Sequence, residues 1–68
     1  SAASDVYKRQ IGSTLHIYLP KAETISVYTL SGLLYEQQDV SAGSTQIHLS
    51  KGMYLVKIGE GTYKIVIR

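Results

Sequence analysis

The chain has no cysteine, tryptophan or phenylalanine, and only one proline and one methionine among its 68 residues. Without cysteine there is neither a disulfide nor a thiolate metal site, so the fold must hold by burial and strand pairing alone. That absence leaves the compartment open, because a β-domain with an adequate core survives outside the cell without disulfides. The two histidines, His16 and His48, are too far apart in sequence to form a local metal motif. No apolar run approaches the ~20 residues of a membrane-spanning helix, and no basic-then-apolar leader opens the chain, so the piece reads as soluble and as a fragment. The net charge of +2 is too small for the clustered basic footprint of a nucleic-acid binder. Length allows one small domain with a stability of a few kcal/mol, and leaves no room for a separate substrate domain.

What is present is tyrosine, six of them, and β-branched residues in alternation. Tyrosine suits half-buried strands, where the ring packs and the hydroxyl stays wet. Leu15, Ile17 and Leu19 alternate with Thr14, His16 and Tyr18 until Pro20, the pattern of a half-buried strand. Ile25 and Val27 alternate with Ser26 and Tyr28 in a second strand. Residues 33 to 40 read as a weaker third strand, polar on both faces at its end and therefore an edge or a bend. Gly43 marks a turn, Gln46 to Leu49 a fourth strand, and Ser50-Lys51-Gly52 a break.

The final stretch places Tyr54, Val56 and Ile58 on one strand face and Tyr63, Ile65 and Ile67 on another. A hairpin with both faces on one side is predicted to set Ile58 opposite Tyr63, Val56 opposite Ile65 and Tyr54 opposite Ile67. Its tip is then Glu60-Gly61, or residues 59 to 62, and Lys57 lies across from Lys64. No segment has helical periodicity. The reading is all-β: a small antiparallel sandwich of about six short strands over residues 11–68. Residues 1–10, SAASDVYKRQ, have neither period and are read as a disordered or non-native leader; the decapeptide resembles translated adaptor sequence.

Candidate chemistry is sparse. Ser31 beside Gly32 lacks the Gly-x-Ser-x-Gly frame and strand-to-helix context of a nucleophile elbow, and reads as a turn serine. Gly59-Glu60-Gly61 lacks the Gly-Lys-Ser/Thr ending or the helix of a phosphate loop, and reads as a hairpin tip. His16 and His48 point outward and could meet if their strands are neighbours, although solvated histidines are the simpler reading. Glu23, Glu36, Asp39 and Glu60 sit in turns or polar edges and read as solvating charge, with nothing apolar around them to tune an acid catalyst. Lys57, Lys64 and Arg68 make a modest basic strip, a solvated face or else a partner surface.

Taken together, Leu15-His16-Ile17, the stretch Ile25 to Gly32 (ISVYTLSG), Ile47-His48-Leu49, the stretch Lys51 to Ile58 (KGMYLVKI) and Tyr63 to Ile67 (YKIVI) resemble the C-terminal sorting domains of type IX (Por) secretion cargo proteins of Bacteroidetes. The resemblance covers about residues 14 to 68. It implies an immunoglobulin-like β-sandwich with no catalysis, no cofactor and no small-molecule substrate. Such a domain is appended to a larger exported protein, acts as a signal for passage across the outer membrane and is often cleaved afterwards. The implied partners are the outer-membrane secretion machinery or a domain of the parent protein, and the implied destination is the cell surface or the extracellular space. Gly32, Gly52, Tyr54 and Lys64 fall in the family's turn and last-strand motifs. The family's usual opening Tyr-Pro-Asn-Pro segment is matched in spacing here by Tyr7-Lys8-Arg9-Gln10. A second reading is an accessory or adhesion module, binding glycan through Tyr18, Tyr28 and Tyr35. Exposed strand edges also open a route to edge-to-edge self-association.

Overall fold

A computed structural model describes residues 7–68. Seven strands occupy them: β1 (Tyr7–Ile11), β2 (Thr14–Leu19), β3 (Glu23–Thr29), β4 (Leu34–Val40), β5 (Gly43–His48), β6 (Gly52–Ile58) and β7 (Gly61–Ile67). They form two antiparallel sheets, one ordered β1-β2-β5 and the other β4-β3-β6-β7. In immunoglobulin lettering the first, second and fifth strands stand where A, B and E do, and the third, sixth and seventh where C, F and G do, with β4 beside C. The all-β sandwich is the architecture the alternating sequence predicts.

The core lies between the sheets and is built from the inward members of each alternation. Leu15, Ile17, Leu19, Ile47 and Leu49 come from one sheet and its margin. Ile25, Val27, Tyr54, Val56, Ile58, Ile65 and Ile67 come from the other. Pro20 follows β2 directly, as expected of a residue that cannot continue a ladder. The β4 strand is indeed an edge. It carries a register shift between Val27 and Tyr28, where Tyr35 is the extra residue. The ring of Tyr35 rests 5.4 Å from that of Tyr54, tilted by 55°.

Three sequence expectations need correction. Tyr7 to Gln10, read as part of a disordered or non-native leader, instead continue with Ile11 as strand β1, paired with β2 from Tyr7↔Tyr18 to Ile11↔Thr14. Residues 1–6 of that leader lie outside the described residues. Lys8, Arg9, Gln10 and Ile11 are all exposed, so among its described side chains this edge strand has no buried face to impose alternation on its sequence. The Lys8 ammonium lies 4.2 Å from the centre of the Tyr63 ring, linking β1 to the other sheet.

The β6–β7 hairpin is displaced by two residues from the expected register: Tyr54 pairs with Ile65, Val56 with Tyr63 and Ile58 with Gly61. A shift of two keeps every side chain on its face, so hydrophobic alternation is blind to it and the turn decides. Gly59 has φ +57 and among the described residues no non-glycine residue has positive φ, which fits a two-residue Gly59-Glu60 turn with glycine in its first position. In consequence Lys57 faces Thr62, Lys64 faces Leu55, and the expected Lys57–Lys64 cross-strand pair does not form.

Candidate functional site

Gly52 and Tyr54 form one local unit at the bend that leads into β6. Ser50-Lys51 breaks the chain after β5, and Gly52 adopts φ +151, a backbone setting closed to most side chains. A Cβ there would touch the Tyr54 ring at 3.6 Å, ordinary contact, so glycine is required by the dihedral and not by space. Tyr54 buries its ring in the core, and its Oη donates a hydrogen bond to the carbonyl of Ser50 at 2.8 Å. This is the tyrosine-corner geometry of immunoglobulin-like sandwiches, in which an early residue of the sixth strand ties back to the preceding corner.

Gly32 closes the β3–β4 turn. It has φ +94, its amide donates to the carbonyl of Thr29 at 3.0 Å, and the Thr29 amide donates to the carbonyl of Leu33 at 2.9 Å. Ser31 is exposed, with its Oγ 2.8 Å from Thr29 Oγ1. Ser31 thus spends its hydroxyl inside the turn.

His16 and His48 do come from neighbouring strands and share the outer face of the three-stranded sheet, but His48 stands opposite Thr14 and His16 opposite Gln46. His48 Nδ1 lies 2.9 Å from Thr14 Oγ1. Among the described residues no group of three His, Cys, Asp or Glu side chains converges as a metal site. The three tyrosines considered for glycan binding are dispersed. Tyr18 is on the outer face of the three-stranded sheet, Tyr28 on the outer face of the other, and Tyr35 leans on Tyr54 at the β4 edge.

Of the basic strip, Lys57 and Lys64 share the outer face of the four-stranded sheet, and both are exposed. Arg68 follows β7 and lines a cleft at the end of the sandwich with Lys51, His48 and Ser13. Between these cations sequence reasoning missed an apolar surface. Leu34 opposes Tyr28, Tyr28 opposes Leu55 and Leu55 opposes Lys64, giving one row across the four strands. Met53 and Val66 oppose each other in the next row. The row on the other side, Gln37, Ser26, Lys57 and Thr62, is polar. The signal was present in the sequence, because Met53 to Val56 and Ile65 to Ile67 are unbroken apolar runs where a half-solvated strand should alternate.

Comparison with curated proteins and with solved structures gives no match. Comparison with protein families does: residues 11–68 match the secretion system C-terminal sorting domain, a match that takes in β2 to β7 whole. The chain belongs to that family, the sorting domains read by the type IX secretion system.

Proposed function

We infer that this chain, as a domain of this family, is the C-terminal sorting signal of a larger secreted protein, recognised by the type IX machinery, and places that protein at the cell surface or outside the cell. We propose that in this chain the domain is a non-catalytic module whose folded surface is the signal, with Gly32, Gly52 and Tyr54 shaping its turns and Lys57 and Lys64 facing the partner. The observation that carries this reading is the family match through six of the seven strands, which spans the folded sandwich and not one short segment. The polar side chains point the same way, since Ser31 is bonded within a turn and His48 to its neighbour Thr14.

The test is export. Residues 11 to 68, and separately the whole chain, are fused behind a periplasm-targeted reporter in a Bacteroidetes host with an intact type IX system. The reporter is expected outside the cell, and in a host lacking the system it is expected to stay periplasmic. Retention in both hosts overturns the sorting reading. The two fusions together also decide whether β1, supplied by Tyr7 to Ile11, is needed.

A further inference from the structure

The outer face of the four-stranded sheet is unlike the outside of an ordinary sandwich. Leu34, Tyr28 and Leu55 form one row and Met53 and Val66 the next, while Leu30 and Leu33 stand in the adjoining turn. Leu33, Leu34 and Met53 are 69%, 53% and 43% exposed. Both faces of this half of the sheet are therefore apolar, the arrangement of strands that are covered on both sides. A contiguous exposed apolar patch with polar surroundings marks an interaction surface.

Charge and topology select among occupants. The patch is bordered by Lys57 and Lys64 on the β6–β7 side, and Lys51 and Arg68 stand at the nearby end of the sandwich. The carboxylates near this face among the described residues, Glu23 and Asp39, stand at the start of β3 and the end of β4, away from the patch; Asp39 accepts a hydrogen bond from Thr24 Oγ1 at 2.7 Å, and Glu23 lines a pocket with Ser26 and Lys57. A second copy laid patch to patch would bring the same cationic border against this one, a poor electrostatic match. Chain preceding β1 joins the other sheet, at Tyr7 opposite Tyr18. That is the end where residues 20 to 22 lead into β3, opposite to the end that carries the patch. A domain tethered there enters at the end remote from the patch.

We infer that this outer face is where a protein of the outer-membrane secretion machinery docks, through an apolar surface edged by carboxylates. The inference rests on the sorting reading and adds to it the surface and the chemistry of the partner.

The test uses the whole chain fused behind the periplasm-targeted reporter. Met53→Glu with Val66→Glu places charge in the patch, and Lys57→Glu with Lys64→Glu reverses its border. Gln46→Glu, on the outer face of the opposite sheet, is the control. Export is expected to fall roughly tenfold or more in each double variant and to stay level in the control. The lysine pair is exposed, so its reversal leaves the core intact even if the methionine-valine variant fails to fold. A photo-crosslinking residue at position 53 is expected to capture an outer-membrane component of the secretion system, identified by mass spectrometry, and at position 46 to capture none. Normal export of both double variants beside an exported wild type overturns this inference alone. So does capture of a second copy or of the reporter from position 53. A wild-type fusion that remains periplasmic overturns the sorting reading, and this inference with it.

Discussion

Tyr54 Oη donates to the Ser50 carbonyl at 2.8 Å, across the bend that carries the chain from one sheet to the other. One side chain thereby serves two ends: its ring fills the core beside Val56 and Ile65, and its hydroxyl fixes the backbone of the crossover. Tyr54→Phe keeps the ring and loses only the bond, and is expected to cost about 1 kcal/mol. Tyr54→Ala also empties the ring's site, a loss of about 3–5 kcal/mol for a large aromatic. That is comparable to the whole stability of a domain this small. Urea denaturation followed by circular dichroism checks both, and equal losses for the two variants would show that the ring contributes nothing.

Gly32 and Ser31 separate backbone from side chain in the turn that first invited a catalytic reading. Ser31→Ala removes a solvent-exposed hydroxyl contact and is expected to shift stability by less than about 0.5 kcal/mol. Gly32→Ala puts a Cβ into open space but at φ +94, so its cost, about 1–2 kcal/mol, is purely conformational. Thermal unfolding of the two variants measures the difference, and a larger loss at Ser31 would return the serine to consideration.

How much of this was legible follows from what alternation can encode. Strands with one wet and one buried face, such as Thr14 to Leu19, state their face in the sequence and the structure keeps it. Tyr7 to Ile11 bury no described side chain, so no periodicity marked them, and only their backbone pairing with β2 makes them a strand. Gly32 and Gly52 mark breaks between apolar runs in the sequence, but their dihedrals, φ +94 and +151, are set by the fold. The apolar outer face was written in the sequence as the runs Met53 to Val56 and Ile65 to Ile67. An alternating template assigns their inward members and passes over Met53, Leu55 and Val66.

The β6–β7 register can be read by cross-linking, since the chain has no cysteine of its own. Lys57 stands directly opposite Thr62, and Lys64 lies one diagonal step away. Directly opposed Cβ atoms in an antiparallel pair are about 4.5–5.5 Å apart and diagonal ones about 7–8 Å. A disulfide requires about 3.5–4.5 Å, which only the opposed pair can reach by a small adjustment. The Lys57→Cys, Thr62→Cys variant is therefore expected to close an intramolecular disulfide under mild oxidation, and the Lys57→Cys, Lys64→Cys variant to remain reduced, as judged by thiol alkylation. The reverse result would restore the register that sets the two lysines face to face.

Ser26 is the buried polar residue among the described side chains, placed outward on the central strand β3, and its Oγ accepts a hydrogen bond from Gln37 Nε2 at 2.9 Å. The two partners differ in what they can do when left alone. Gln37 is exposed on the edge strand β4, so after Ser26→Ala its amide turns to water and the loss is expected to be about 0.5–1 kcal/mol. After Gln37→Ala the buried Ser26 hydroxyl has lost its partner and cannot follow it into solvent. Leaving a buried polar group unsatisfied costs about 1–3 kcal/mol, so the change at the exposed residue is expected to be the more damaging of the two. The double variant Ser26→Ala, Gln37→Ala, which removes both partners, is expected to recover part of the Gln37→Ala loss. Urea midpoints for the three proteins, at equal denaturant slope, decide the order. A Gln37→Ala midpoint at or above that of Ser26→Ala would mean that the hydroxyl finds another hydrogen-bond partner within the sheet.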